Sequence, residues 1–181
     1  MESSSSNGSL LQQIHQVDTR AFYWVLQRKL FPQLAVISRY ISKTADGYLY
    51  PVLGLALFFS GITSGTDAAL VLLLAFAIER PLYFLLKNCF KRNRPMDILP
   101  DISSLVIPSD KFSFPSGHTS AAFVVATIIA SLIPATTPFV FLWATSVAWS
   151  RVCLGVHFPT DTLFGALLGS LCAIVSLSLI A

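Results

Sequence analysis

Three short stretches set cations, a hydroxyl, two imidazoles and a carboxylate at spacings that suit the chemistry of an anionic group: KNCFKRNRP (87–95), PSGH (115–118) and SRVCLGVHFPTD (150–161). Lys87 and Arg94 stand seven positions apart, two helical turns, so a helix that persists to Pro95 sets both cations on one face. Pro95 favours an end to that helix. Arg151 adds a third fixed cation, whose planar fork matches phosphate oxygens. The PSGH turn opens a long uncharged run, so its backbone N–H groups and the Ser116 hydroxyl can point at an anion held over a helix N-terminus. Gly117 lets the backbone come close to that anion. His157 and Asp161 lie four apart around Phe158-Pro159-Thr160, with the proline suited to a first helical turn. A carboxylate so placed accepts a hydrogen bond from one imidazole nitrogen and leaves the other as nucleophile or base. With His118 there are two imidazoles for two roles, attack on phosphorus and protonation of a leaving oxygen.

These residues need elements to hold them, and the composition says which kind. Of 181 residues, 54% are hydrophobic and only 12% charged, with a mean hydropathy of +0.69, against roughly 25% charged in an average soluble domain. This is the composition of a membrane protein, and its length allows one domain of several spans. The predicted fold class is all-α, a polytopic membrane bundle of five to six transmembrane helices. A first span lies in the uncharged run 47–66, and after the turn TSGTD a second returns through AALVLLLAFAIERPLYFLLKNCF. That second span carries Glu79 and Arg80 near its middle, a costly placement unless they are paired, water-exposed or turned into the bundle. A polar connector, 88–117, leads to the uncharged run 119–149, which PATTP (134–138) divides into a third and a fourth span. Residues 162–181 make a fifth, with a small-residue face of Gly165, Ala166, Gly169 and Ser170 suited to close packing.

Residues 1–9, MESSSSNGS, read as a disordered tail rather than a signal peptide. Residues 10–46 mix apolar and cationic side chains too evenly to span easily, and Trp24, Tyr23 and Tyr40 beside Arg20, Arg28, Lys29, Arg39 and Lys43 suit an amphipathic helix in the interface plane. Residues 47–181 then form the catalytic membrane domain. Cys89, Cys153 and Cys172 are odd in number and widely spaced, which indicates neither a disulfide framework nor a zinc site. Counting spans by parity puts the connector 88–117 and the loop 152–160 on one side of the membrane, so all three reactive stretches share a face. Taken singly, each His or Arg is more often a polar tip at an interface; together on one side they make a site.

K-x6-RP (87–95), PSGH (115–118) and SR-x5-H-x3-D (150–161) resemble the three-part signature of the type 2 phosphatidic acid phosphatase family, membrane lipid phosphatases related to glucose-6-phosphatase and the vanadium haloperoxidases. The resemblance implies that Lys87, Arg94 and Arg151 hold the phosphate oxygens, helped by Ser116 and the Gly117 amide. It implies that His157 attacks phosphorus and forms a phosphohistidine, oriented by Asp161, while His118 protonates the departing lipid oxygen and later activates water. No metal ion and no other cofactor is implied.

The expected partners are a lipid phosphate and the surrounding membrane lipids, without nucleic acid; the oligomeric state is left open. Phosphatidic acid, phosphatidylglycerophosphate and undecaprenyl pyrophosphate all place a phosphate at headgroup depth beside the basic N-terminal segment. Two other readings remain: a vanadate-dependent haloperoxidase-like enzyme, or a non-catalytic binder of phospholipid headgroups. All Lys and Arg but Arg80 fall on the site's side, which by the positive-inside rule alone faces the cytoplasm. The family's bacterial members draw the expectation the other way, to the periplasmic or outer face of the inner membrane.

Overall fold

The computed structural model describes residues 10–27, 31–60, 65–99, 104–108 and 110–180. The tail expected at 1–9, together with Arg28 and Lys29, lies outside them. Every element of regular structure among the described residues is helical: α1 (Leu10–Leu26), α2 (Phe31–Lys43), α3 (Leu49–Phe59), α4 (Gly65–Phe90), the single turn α5 (Pro95–Ile98), α6 (Gly117–Leu132), α7 (Thr137–Cys153) and α8 (Pro159–Ile180). A 3₁₀ turn, Pro134–Thr136, joins α6 to α7 where PATTP was read as a tight turn.

The helices wear their large apolar side chains outward. On α8, Leu163, Phe164, Leu167, Leu171, Ile174 and Leu179 are exposed, while Gly165, Gly169, Cys172 and Ala173 are buried. On α4, Leu70, Leu73, Leu82, Phe84 and Leu85 face out, while Ala68, Ala75 and Glu79 face in. Water would reject such a surface; lipid accepts it, and close helix contact wants the small residues inside. The stretches Asp67–Ile98 and Pro159–Ile180 are long and apolar enough to cross a membrane.

Of the five expected spans, the first differs most. Helix α3 has only 11 residues, about 16 Å of rise where a hydrocarbon core is about 30 Å thick. Helix α6, at 16 residues, is also shorter than a full span.

Helix α6 is the bundle's centre and packs on α4, α7 and α8. Its seam with α8 is the tightest, because a Cβ at Gly169 would stand 2.1 Å from the Ser120 carbonyl oxygen and one at Gly165 2.6 Å from that of Ser116. Thr127 reaches Ser170 across the same seam at 3.4 Å. Val124, Ile128, Ala75, Val71, Leu57 and Ala173 close the apolar core toward the end away from the reactive stretches.

The N-terminal helices lie against the site end. Phe22 and Val25 of α1 pack on Val152, Cys153 and Phe158. Helix α2 runs along α7, and Ala45 just beyond it packs with Ala122, Ala126, Ala144 and Val147. Cys89 is exposed, Cys153 is buried, and the two are not bonded.

Candidate active site

The helix expected to carry Lys87 and Arg94 on one face does not reach Pro95. It ends at Phe90, where Lys91 adopts a left-handed φ of 46° and turns the chain out of helix. Arg94, in extended backbone at the start of α5, comes back toward Lys87 through space instead. Both cations close on one carboxylate. Asp110 lies 2.7 Å from Lys87 Nζ and 2.5 Å from Arg94 Nη2, and accepts the Tyr83 hydroxyl at 2.6 Å. Burial alone would raise the Asp110 carboxyl, but hydrogen bonds from Lys87 and Tyr83 and the Lys87 and Arg94 charges outweigh it and hold it at about 2. Asp110 therefore occupies the place expected of a phosphate.

A chamber of about 210 Å³ opens beside this cluster, and Arg94, Asp110, Gly117, His118, Arg151 and His157 are on its wall. The three stretches, separated by up to 70 residues, thus meet at one point. The second stretch is joined to the third by the Ser116 N–H, which donates to the Asp161 carbonyl oxygen at 3.0 Å. Arg94 Nη1 donates to the Val156 carbonyl at 2.7 Å and so ties the first stretch to the third. Gly155, at φ 78°, makes the left-handed turn that brings His157 back under α7.

His157 is buried, and its Nδ1 has no hydrogen-bond partner among the described residues. The expected bond to Asp161 is not made: Nδ1 to Oδ2 is 3.8 Å, beyond hydrogen-bond reach. Asp161 spends its oxygens elsewhere, accepting the Phe158 N–H at 2.8 Å and Arg92 Nη1 at 2.8 Å. Burial first, then the Arg151, Arg94 and Lys87 charges, holds the His157 imidazole well below its ordinary value. The neutral form of the ring is the one this environment favours. Arg151 donates from Nη1 to the Ser42 hydroxyl at 2.6 Å, and its buried Nε has no partner among the described residues. Arg151 Nε and His157 Nδ1 are thus two buried nitrogens, on two residues of one polar chamber's wall, without a partner among the described residues.

Ser116 is fully buried and its hydroxyl accepts Thr119 Oγ1 at 3.0 Å, so it stands behind the chamber wall rather than on it. Gly117 lies on the wall, and a Cβ there would meet the Tyr83 ring at 3.0 Å.

Several supporting groups escape a sequence reading. Asp46 Oδ1 is 3.2 Å from His118 Nε2. Arg92 joins Asp161 to the buried Asp18, at 2.8 Å and 2.6 Å, and lies 4.3 Å from the centroid of the Phe158 ring. Asp18 in turn accepts the Thr160 N–H at 3.0 Å. Arg92 sits inside RNRP beside a residue already singled out, and that was the only available signal.

Residues 67–181 match the PAP2 superfamily. The chain belongs to that superfamily. Among its relatives, this PAP2 chain is 37% identical over 141 residues to phosphatidylglycerophosphatase B of Bacillus subtilis, covering 70% of the chain and 65% of that protein, just under two thirds of its length. It is 28% identical over 145 residues to an undecaprenyl-diphosphatase of Sulfolobus acidocaldarius, covering 77% of the chain and 68% of that protein. The crystal structure of LpxE from Aquifex aeolicus superimposes with a TM-score of 0.75 at 30% identity, over 96% of the PAP2 chain and 98% of LpxE.

Proposed function

We propose that this chain is a membrane lipid phosphatase that hydrolyses a phosphomonoester or diphosphate of a lipid through a phosphohistidine. The observation that carries the reading is the junction of two cavities. The chamber holding His118, His157, Arg94 and Arg151 adjoins an apolar groove of about 650 Å³ along α3 and α4, and the two share Gly47, Tyr50, Arg80 and Ala121 on their walls. A soluble phosphate ester would need only the chamber. The groove, walled by Leu55, Phe58, Leu72, Leu73 and Phe76, fits an acyl or prenyl chain.

In this reading Lys87, Arg94 and Arg151 take the phosphoryl oxygens, and the substrate phosphate displaces the Asp110 carboxylate from the first two. His157 attacks phosphorus through the nitrogen turned away from Asp161, the bond from phosphorus to the lipid oxygen breaks, and His118 gives that oxygen its proton. Burial and the Arg151 charge push the His118 ring down to about 4, with Asp46 pulling against them toward the protonated form, so the proton this step needs is carried only once the substrate's negative charge is beside the ring. Asp161, 3.8 Å from Nδ1, stabilises the positive charge that attack creates on His157. Water, deprotonated by His118, then releases phosphate. Three cations and the N-terminus of α6 supply the positive charge that a metal would otherwise bring.

Phosphatidylglycerophosphate and undecaprenyl diphosphate, the substrates in the relatives' names, both fit the two cavities, as does phosphatidic acid. A haloperoxidase would use the chamber and leave the groove without a role, and the named relatives are phosphatases. Phosphate release from these lipids by purified protein, in chelator and with vanadate as inhibitor, tests the reading. No release from any of them would leave a headgroup binder. On this reading the site faces the periplasmic or outer side of a bacterial inner membrane, as proposed from the family's bacterial members.

A further inference from the structure

Arg80 stands where the two cavities meet. It lines both the polar chamber and the apolar groove, and it is the one charged side chain on the groove's wall among the described residues. A lipid whose chain lies in the groove and whose reactive phosphate lies beside His157 crosses the wall that Gly47, Tyr50, Arg80 and Ala121 share, and Arg80 is the one cation among those four. Glu79 accepts Arg80 Nε and, at 2.6 Å, Nη2, which leaves Nη1 over. The pair is lopsided: the Glu79 side chain is fully buried, whereas that of Arg80 is 40% exposed. A purely structural partner for a buried carboxylate gains nothing from facing a cavity. The Tyr83 ring links the two cationic centres, with Lys87 Nζ 4.6 Å and Arg80 Cζ 4.7 Å from its centroid.

We propose that Arg80 recognises a second phosphate on the leaving side of the scissile bond, so that the preferred substrates are lipids carrying two phosphates. The inference rests on the lipid phosphatase reading and deepens it. A lipid diphosphate leaves as a lipid monophosphate: the phosphorus–nitrogen bond to His157 forms, the bridging phosphorus–oxygen bond breaks, and the electron pair stays with the leaving phosphate, which takes the His118 proton. Arg80 there meets charge that develops during the reaction and acts on kcat. In a monophosphate attached through glycerol to a phosphodiester, the second charge is remote from the breaking bond, and Arg80 acts on KM. Phosphatidic acid offers only a neutral diacylglycerol at that position.

The test compares kcat/KM for undecaprenyl diphosphate, phosphatidylglycerophosphate and phosphatidic acid, using the full chain in detergent micelles. The wild type prefers each two-phosphate lipid over phosphatidic acid by about tenfold or more, the worth of one charge-assisted hydrogen bond. Glu79→Gln, which frees the Arg80 charge, raises that ratio. The double variant Glu79→Gln/Arg80→Gln removes both charges, keeps a pair of amides, and brings the ratio close to one. Because the readout is a ratio within one preparation, loss of folded protein cancels. Arg80→Lys, which keeps the charge and loses the fork, gives an intermediate ratio. An unchanged ratio in the double variant, or a ratio that falls in Glu79→Gln, overturns the role of Arg80 and leaves the phosphatase reading standing. Absence of phosphate release from all three lipids by the wild type overturns both.

Discussion

Three residues carry the proposed chemistry and expose it to direct tests. His157 is held well below its ordinary value by burial and three cations, so the folded protein keeps a neutral ring where an ordinary imidazole is charged. The acid limb of kcat/KM attributable to this nucleophile is therefore expected below pH 6.5, and a limb at or above that value would contradict it. The same depression makes stability fall as pH drops below 6.5, since the unfolded chain then binds a proton that the folded one refuses. Asp161→Asn keeps the shape but removes the charge that faces the attacking ring; by analogy with catalytic triads kcat falls by roughly 10² to 10⁴, with a smaller change in KM. Asp110→Asn frees Lys87 and Arg94 from a permanent competitor, and KM for lipid phosphate drops by about tenfold; a rise in KM would show that Asp110 positions the cations instead. The candidate groups stand out in the sequence because each stretch packs them within a dozen positions, and the fold gathers Arg94, His118, Arg151 and His157 around one chamber. Asp46, Asp18 and Asp110 do not, because their nearest site partners lie 72, 74 and 16 positions away, and only tertiary packing pairs them.

At the scale of elements, the seam between α6 and α8 positions the PSGH turn. Gly165 touches the Ser116 carbonyl, so Gly165→Ala pushes α8 away from the turn that carries His118, and kcat is expected to fall while the protein still inserts. Gly169→Val is more severe, since even a Cβ would overlap the Ser120 carbonyl; loss of the monomer's thermal transition in detergent is the readout. Arg92 is a second joint, tying α1 to α8 through Asp18 and Asp161. Arg92→Ala leaves two buried carboxylates without their cation, a cost of about 3–5 kcal/mol that a denaturation series would detect. The helices α6, α7 and α8 followed from uncharged runs and from the turn at PATTP, although of the three only α8 is long and apolar enough to cross a membrane. The persistence of α4 to Pro95 did not hold, because local periodicity carries no sign of the left-handed turn at Lys91. The small-residue face of α8 was legible because only Gly, Ala and Ser let two helices approach so closely.

For the whole molecule, inside-out apolar faces, a polar chamber at one end and a groove beside it suit the proposed role, in which substrate is taken from the bilayer. The last turns of α8 pack with Leu57 and Leu132 at the end away from the chamber, so the C-terminus and the site lie on opposite sides. A reporter fused after Ala181 is therefore expected to be active in the cytoplasm if the site faces outward, and an external signal would reverse that placement. The central claim is a covalent phosphoryl transfer to His157. It is tested most directly by quenching the His118→Ala variant in alkali after mixing with a lipid labelled in its terminal phosphate, and mapping the label by mass spectrometry. The account predicts an acid-labile phosphate on His157, absent when His157→Ala is added. Label undiminished in that double variant, or carried by another residue, would contradict it.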